Sequence, residues 1–432
     1  MRHELAVICR RNLGARRLAC AYLAVAAAAG LFACGESEPG GATARTITIT
    51  KTVIPPKKVA KATPPPAPSA SSLGVPVSEM LGQMIISAYA GTVPPLTLLD
   101  RIKAGEVGGV ILYSENTAAG EADTRAEIAD LQAAASAGHQ PPLLVTTDQE
   151  GGEVRRLTWA PPELAPAEMH SAAVARSEGA ATGRALRAVG VNLDLAPVSD
   201  VERVAGSFLG TRSFGDESSA VAERACAFAE GLASQGVGFT LKHFPGLGRA
   251  VGNTDLEPVS ITASPTELRD DYGAYERCSS SPDGVVMVSN ASYPALTGNS
   301  TPAVMSPEIY HNELAAVVGY KGVTISDDLG AGALAHEPAP AERAINAGLD
   351  LALYAQGEAS VDAYDTLRQD VDSGTIPSAR VESAYSAIIA LKATIAGGAP
   401  QAASGAAQGS SYPENVGAPQ AVGAPETIKE AK

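Results

Sequence analysis

The sequence predicts an α/β fold, a (β/α)8 barrel of the TIM type that occupies residues 76–397. Three observations lead to this prediction. Eight short runs of Val, Ile and Leu recur along this stretch, helical stretches rich in Ala, Glu and Arg separate them, and polar ionisable residues follow several of the runs. Continuous apolar runs are typical of parallel strands buried on both faces. Eight repeats favour a closed barrel over an open doubly wound sheet.

The predicted strands are these eight apolar runs. They are residues 83–87, 109–113, 143–147, 192–196, 238–243, 285–289, 322–326 and 349–353. The predicted helices between them include residues 122–136, 171–189, 218–235, 265–278 and 340–347. A Gly-x-Gly-x-x-Gly motif does not follow the first run, which argues against a dinucleotide-binding sheet.

Residues 1–34 resemble a bacterial lipoprotein signal peptide. Four arginines within residues 10–17 precede an apolar, Ala-rich stretch at residues 18–32, which is short for a membrane span. The following Ala33-Cys34 resembles the end of a lipobox with Cys34 as the lipidated residue, although Phe32 departs from the usual pattern. An ordinary signal peptide or an uncleaved anchor is the alternative. We therefore expect an exported protein that is either anchored by a lipid to the extracellular face of the cell membrane or secreted.

Two low-complexity segments flank the predicted barrel. Residues 35–75 are rich in Pro, Ala, Thr, Ser and Lys and are expected to form an extended tether. Residues 398–432 have no apolar period and are expected to form a disordered tail. The 432-residue chain carries a formal charge of -15, which argues against a nucleic-acid partner because such a partner requires a basic surface. We expect a monomer.

Two cysteines remain beyond the signal segment and the proposed anchor at Cys34. Cys226 and Cys278 lie on predicted helices that precede consecutive strands, so these helices should be neighbours. Outside the cytoplasm such a pair can form a disulfide, and two buried free thiols are the alternative. Neither cysteine has Cys-x-x-Cys spacing and the six histidines are scattered, so we expect no metal site.

Polar residues follow the third and fourth predicted strands. Asp148 is placed at the barrel mouth, where a carboxylate can bind two adjacent sugar hydroxyls, and Arg156 can reach the same pocket. A helix cap with surface ion pairs is the alternative for this segment. Asp194 and Asp200 are expected to cap backbone amides. Arg212 lies in a later loop, where it either donates a bidentate pair to a ligand or locks the loop.

The fifth and seventh predicted strands end in the most informative residues. Lys242 and His243 form a candidate clamp for hydroxyl groups, and Asp327 is a carboxylate placed to attack a carbon. A retaining glycosidase needs such a nucleophile together with a second group that acts as acid and base. Lys242 is expected to help keep Asp327 ionised. Strand alternation is expected to point Asp328 away from the site.

Seven segments in the same order resemble the single-domain β-N-acetylhexosaminidase branch of glycoside hydrolase family 3. They begin at Asp148, Asn192, Arg212, Lys242, Tyr293, Ser326 and Asn346. The resemblance implies a TIM barrel and a retaining mechanism with Asp327 as nucleophile. It also implies the sugar ligands Asp148, Arg156, Arg212, Lys242 and His243. Family members with N-terminal lipidation resemble cell-surface enzymes that act on cell-wall or muropeptide sugars.

The sequence departs from this branch in the loop after Lys242-His243. The family's Asp-Ser-His motif, which holds the acid/base, is replaced by Asn253-Thr254-Asp255. Asp255 is therefore one candidate acid/base, with Asn253 as its hydrogen-bond partner. Glu257 or His336 entering the site is a second reading. A third is a sugar-binding protein with little or no turnover.

The sequence as a whole predicts an exo-acting retaining β-N-acetylhexosaminidase. Its expected substrates are terminal β-N-acetylglucosaminides from peptidoglycan fragments or chitin-like oligomers. The alternatives are a β-glucosidase of the same family and a weakly active or inactive carbohydrate-binding lipoprotein. We expect no cofactor, because two side chains suffice for this hydrolysis.

Overall fold

The computed structural model describes residues 73–397. The predicted signal segment with Cys34, all but the end of the predicted tether, and the predicted tail lie outside the described residues. Within residues 73–397, no helix is both long and apolar enough to cross a membrane.

Eight parallel strands form one sheet, and a short antiparallel hairpin lies beside it. The barrel strands are β1 Ile85–Ser87, β2 Gly109–Leu112, β3 Leu144–Thr147, β6 Leu193–Asp194, β7 Gly238–Phe244, β8 Gly284–Val288, β9 Thr324–Ser326 and β10 Ala352–Tyr354. The hairpin consists of β4 Gln149–Gly151 and β5 Val154–Arg155. In the sheet, β10 pairs with β1, and the order then runs β2, β3, β6, β7, β8 and β9.

The barrel closes between β9 and β10. Ile325 forms a parallel bridge with Leu351, and the Leu351 amide donates to the Thr324 carbonyl at 2.9 Å. The Ser326 amide donates in turn to the Leu351 carbonyl at 2.9 Å. A closed parallel barrel places the carboxyl ends of all its strands at one face. The predicted TIM barrel is therefore confirmed.

Helices cover the outside of the barrel. They are α1 Val77–Gln83, α2 Leu96–Lys103, α3 Glu121–Ala137, α4 Ala172–Val189, α5 Ser218–Ala233, α6 Pro265–Arg269, α7 Gly273–Cys278, α8 Pro294–Thr297, a π-helix Ile309–Val318, α9 Pro340–Ala347, α10 Gly357–Ser373 and α11 Ser378–Gly397. Local sequence sets their ends. The α4 helix is capped at its start by Ser171, whose side chain accepts the Val174 amide, and at its end by Gly190, which lies in the left-handed region with φ 100°.

The single helix predicted at residues 265–278 is wrong, because two short helices occupy this stretch. The first helix ends at Arg269, and the Asp271 carboxylate in the turn that follows forms ion pairs with Arg203 and Arg249 from neighbouring loops. The next residue, Tyr272, is fully buried and packs with its ring 5.0 Å from that of Phe244. Tertiary contacts thus override local helix propensity here.

Cys226 on α5 and Cys278 at the end of α7 form a disulfide, with their Cα atoms 5.7 Å apart. The two helices pack together on the outside of β7, next to the aromatic cluster of Phe244, Tyr272 and Tyr275. The disulfide therefore holds together the helical layer behind the strand that carries Lys242.

Candidate active site

A cavity of about 470 Å³ opens at the carboxyl ends of the barrel strands. We call it the active-site cavity. All seven side chains predicted to bind or transform a sugar line it, namely Asp148, Arg156, Arg212, Lys242, His243, Asp255 and Asp327. Residues from five separate loops or strand ends therefore meet in one place, as expected for a TIM-barrel site.

Lys242 lies at the centre of a buried charge network. Its Nζ atom is 2.7 Å from an oxygen of Asp148 and 2.7 Å from an oxygen of Glu150. Arg212 donates two hydrogen bonds of 2.8 Å to the two oxygens of Glu150. Lys242 is 2 % exposed and Glu150 is 1 % exposed, so these two charged groups are shielded from water.

The charges of this network stabilise one another. Burial opposes ionisation of Asp148, but Lys242 and Arg156 outweigh it and hold the pKa of Asp148 below its usual value. Burial likewise opposes ionisation of Glu150, whose pKa is nevertheless lowered far below its ordinary range by Lys242 and Arg212. For Lys242, the two carboxylates overcome burial and raise its pKa. Both carboxylates and the ammonium group are therefore charged at neutral pH.

Arg156 and Tyr113 form the wall beside Asp148. The Arg156 guanidinium is 3.6 Å from Asp148 and lies 5.5 Å from the centre of the Tyr113 ring. The Arg156 side chain lines the cavity and is about a third exposed, whereas its buried Nε atom has no hydrogen-bond partner among the described residues. This arrangement leaves Arg156 donors free for a ligand.

His243 is oriented by Asp200. The His243 Nδ1 atom is 2.7 Å from an oxygen of Asp200, and the Asp200 carboxylate also accepts the backbone amides of His243 and Leu247. Because Nδ1 is engaged in this way, Nε2 is the ring nitrogen that remains for a ligand. The prediction that Asp200 accepts backbone amides is confirmed. Asp200 also orients the His243 ring.

Asp327 follows β9 and faces the cavity, and one of its oxygens accepts the Asp328 amide at 2.9 Å. Burial raises the pKa of Asp327; His243 opposes this most strongly, Asp255 adds to it, and Lys242 contributes least. The expected role of Lys242 in keeping Asp327 ionised is therefore minor. Lys242 is neutralised instead by Asp148 and Glu150.

Asp328 also lines the cavity, contrary to the expectation from strand alternation. The strand ends at Ser326, so alternation does not extend to Asp328. One of its oxygens accepts the amides of Gly330 and Ala355 at 2.9 and 3.0 Å. These bonds anchor the Asp328 side chain to the loop backbone at the cavity wall.

The loop after β7 brings Asp255 to the rim of the cavity, where it is exposed. Asn253 does not contact the Asp255 carboxylate; its Oδ1 atom accepts the Asp255 backbone amide at 2.9 Å. The carbonyls of Thr254 and Asp255 accept the amides of Ala333 and Gly332. Glycine is required at position 332, because a Cβ atom there would lie 2.3 Å from the Leu256 carbonyl oxygen.

The other two acid/base candidates lie apart from the cavity. Glu257 and His336 are exposed, and neither is among the residues that line the active-site cavity. The loop after β7 is held near its start by Gly248. Gly248 packs against the backbone of Val201, where a Cβ atom would lie 1.9 Å from a carbonyl oxygen, and its own carbonyl accepts the Arg203 amide.

Sequence reasoning missed Glu150 as a site residue, although it stands two positions after Asp148 in the same motif. It also did not assign Tyr113, which follows β2 at the cavity wall. Asp194 lies beneath the site and accepts the Gln149 amide at 3.0 Å. Burial raises the pKa of Asp194 to about 8, so it is largely protonated at neutral pH.

Residues 78–391 match the family described as the glycosyl hydrolase family 3 N-terminal domain. This match covers well over half of the chain. The chain belongs to glycosyl hydrolase family 3. It is therefore a glycosidase by family, and Asp148, Lys242 and Asp327 all lie inside the matched region.

Relatives of this family 3 barrel agree with the assignment. An uncharacterized secreted glycosyl hydrolase of Arthroderma benhamiae is 35 % identical over 315 residues, which cover 68 % of this chain and 88 % of the relative. A β-hexosaminidase of Nitrosomonas eutropha is 32 % identical over 321 residues, which cover 70 % of this chain and 88 % of the relative.

A solved structure has the same fold as the family 3 barrel described here. The glycoside hydrolase family 3 β-N-acetylglucosaminidase from Paenibacillus superposes with a TM-score of 0.71 at 28 % identity. The superposition covers 74 % of this chain and 62 % of that structure.

Proposed function

We propose that this protein hydrolyses terminal β-N-acetylglucosaminides by a retaining mechanism in which Asp327 is the nucleophile. The observation that carries the proposal is that Asp327 faces the Asp148–Lys242–Arg156 group within one cavity. The names of the Nitrosomonas and Paenibacillus relatives support the N-acetylhexosaminide substrate.

The residues supply the parts that this reaction needs. Asp148 accepts hydrogen bonds from sugar hydroxyls, Arg156 donates to them, and His243 Nε2 bonds a further hydroxyl while Nδ1 is held by Asp200, so the sugar is held with its anomeric carbon at Asp327. Asp327 then forms a bond to that carbon as the bond to the leaving oxygen breaks, and an acid protonates the leaving oxygen. Water, deprotonated by the same acid/base, subsequently attacks the anomeric carbon and releases Asp327.

We propose Asp255 as the acid/base. It lines the cavity, whereas Glu257 and His336 do not. It is also close enough to Asp327 for its charge to raise the pKa of Asp327. Once the glycosyl ester has formed, the Asp255 carboxylate deprotonates the water that attacks in the second step.

The proposed setting is outside the cytoplasm. We propose that residues 1–34 are a lipoprotein signal, that Cys34 carries the lipid, and that residues 35–75 form the tether to the barrel at residues 76–397. The Arthroderma relative is named as secreted, which supports export. Peptidoglycan fragments and chitin-like oligomers are the proposed substrates, and the protein is proposed to act as a monomer.

Turnover of aryl β-N-acetylglucosaminide by the purified full-length protein tests the function. Asp327→Ala should reduce kcat by roughly a thousandfold or more, because no glycosyl-enzyme can form. Asp123→Asn is a matched control, since it removes a carboxylate in the first turn of α3, away from the cavity. Faster turnover of the aryl glucoside would favour the β-glucosidase alternative. Binding of these sugars without turnover would favour the carbohydrate-binding lipoprotein.

A further inference from the structure

Tyr113 presents an unpaired hydroxyl group to the active-site cavity. It lines this cavity directly after β2, and its hydroxyl has no hydrogen-bond partner among residues 73–397. The hydroxyls of Tyr89 and Tyr354 also lack partners there, but both are fully buried, whereas the Tyr113 hydroxyl is not. The Tyr113 hydroxyl is therefore free to bond a ligand.

The charged groups that act on this hydroxyl all line the active-site cavity. Burial raises the pKa of Tyr113 far above its ordinary value, and the carboxylates of Asp148 and Asp328 raise it further. Arg156 opposes this rise, and Asp327 adds least to it. The phenol is therefore protonated at neutral pH and supplies a hydrogen-bond donor among acceptor carboxylates.

Asp148 has one carboxylate oxygen left for a ligand. Its Oδ1 atom is 2.7 Å from Lys242 Nζ. Its Oδ2 atom is 3.6 Å from Arg156 Nη2, which is longer than a hydrogen bond, and it has no hydrogen-bond partner within residues 73–397. Since an ionised carboxylate can only accept, this oxygen requires a donor from the ligand.

A sugar hydroxyl has the complementary set of bonding groups. It has one proton to donate and two lone pairs that accept. When its proton is bonded to Asp148 Oδ2, its lone pairs require two donors from the same wall. Arg156 supplies one of them, and its guanidinium lies 5.5 Å from the centre of the Tyr113 ring. The Tyr113 hydroxyl supplies the other, so these three side chains can satisfy one hydroxyl completely.

Buried hydrogen bonds hold Tyr113 and Arg156 in this arrangement. Asn116, which is 1 % exposed, accepts the Tyr113 amide at 2.7 Å. Thr117, which is also 1 % exposed, donates to the Arg156 carbonyl at 2.6 Å. The loop after β2 is thus bonded to the segment after β5, and the two side chains are fixed relative to each other before a ligand binds.

We propose that Tyr113 is a further substrate-binding residue, whose hydroxyl donates to the same sugar hydroxyl that donates to Asp148. This inference rests on the proposed function and names a determinant of specificity for the terminal sugar. The site then favours a terminal sugar that carries this hydroxyl over one in which hydrogen replaces it. Loss of the hydroxyl leaves Asp148 Oδ2 and the Tyr113 donor unpaired, which is costly in a partly buried site.

The test begins with Tyr113→Phe, which removes only the hydroxyl and keeps the ring beside Arg156. For the full-length protein, kcat/KM on aryl β-N-acetylglucosaminide should fall roughly threefold to tenfold, the effect of one neutral hydrogen bond. Tyr354→Phe is the matched control, because its hydroxyl also lacks a partner within residues 73–397 but is buried outside the cavity lining. It should keep the wild-type kcat/KM. The Tm of Tyr113→Phe should equal that of the wild type.

Monodeoxy substrates identify the bonded hydroxyl. They are aryl β-N-acetylglucosaminides that lack the 3-, 4- or 6-hydroxyl group, each measured with the unmodified protein and with Tyr113→Phe. We expect kcat/KM to be unchanged by Tyr113→Phe on one of them, while the other two keep the threefold to tenfold loss. The same substrate should be the least affected by Asp148→Asn. An equal loss on all three, or a different substrate escaping the effect of Asp148→Asn, would overturn the shared hydroxyl.

Binding of free N-acetylglucosamine separates this inference from the proposed function. Its dissociation constant should be roughly threefold to tenfold higher for Tyr113→Phe than for the unmodified protein. Normal aryl turnover with equal kcat/KM and equal dissociation constants in both proteins would overturn the role of Tyr113 and leave the function intact. An unmodified protein that is inert on aryl glycosides, yet binds the sugar more tightly than Tyr113→Phe does, would support this role and overturn the proposed function.

Discussion

Arg212 and Glu150 form a two-bond ion pair at the base of the active-site cavity, with both donor–acceptor distances at 2.8 Å. Glu150 also accepts from Lys242, so one carboxylate compensates two buried cations. Arg212 was expected to bind a ligand directly or to lock its loop. Its pairing with Glu150 supports the second role, because the ion pair joins the loop after β6 to the hairpin after β3.

We predict that Glu150→Gln lowers the free energy of unfolding by about 3–5 kcal/mol, because it removes the ion-pair partner of Arg212 and leaves Lys242 with Asp148 as its remaining partner. Chemical denaturation of the variant and the unmodified protein measures the change. Glu153→Gln is the matched control, since Glu153 is an exposed carboxylate in the same hairpin. Equal losses in the two variants would contradict the role assigned to Glu150.

Asp255→Ala should impair substrates according to their leaving groups. Loss of the acid is expected to slow cleavage of a disaccharide by roughly 10²–10⁴-fold, but to slow cleavage of an activated aryl glycoside much less. Added azide should restore turnover of the aryl substrate and yield the β-glycosyl azide. Glu257→Gln and His336→Gln serve as comparisons, and a larger loss in either would move the acid/base role away from Asp255.

The acid limb of the kcat/KM profile should lie above the usual carboxylate range, because burial raises the pKa of Asp327 and only its ionised form attacks. Activity is therefore lost as pH falls through this raised pKa. His243→Gln removes the side chain that most opposes the rise in the pKa of Asp327 and should move the limb to higher pH. The same profile for His170→Gln, an exposed histidine away from the cavity, should match the unmodified protein. An unmoved limb in His243→Gln would contradict this coupling.

Glu127 on α3 gives a separate prediction for stability. It is 4 % exposed, neither carboxylate oxygen has a hydrogen-bond partner among residues 73–397, and burial raises its pKa to about 8. The pKa of Glu127 is higher in the folded than in the unfolded protein. The stabilisation from its protonated carboxyl group is therefore fully present in acid and is lost as pH rises toward 8. The Tm of Glu127→Gln minus the Tm of the wild type should therefore increase between about pH 5 and pH 8. A constant difference would show that the carboxyl does not titrate there.

Removal of the disulfide should destabilise the barrel without removing an active-site group. For the 52-residue separation between Cys226 and Cys278, loop entropy gives a loss of about 4 kcal/mol in Cys226→Ser/Cys278→Ser. Denaturation of the unmodified protein with and without a reducing agent provides the comparison. An identical midpoint in all three samples would mean that the two thiols are not bonded in solution.

The sequence predicted the barrel because each strand is a short apolar run, and all eight runs overlap the observed strands. It predicted the cavity residues because the carboxyl ends of barrel strands share one face. It did not predict the break at Asp271, which depends on arginines from two distant loops. Glu150 was missed because its partners Lys242 and Arg212 come from later segments.

The backbone bonds from Thr254 and Asp255 to Ala333 and Gly332 have a consequence for how this site can change. These bonds join the loop after β7 to the loop after β9. The distance between the carboxylates of Asp255 and Asp327 therefore depends on the conformation of both loops. A chimera that takes either loop alone from a relative would misplace Asp255 relative to Asp327. Exchange of both loops together is the change that this architecture can accept.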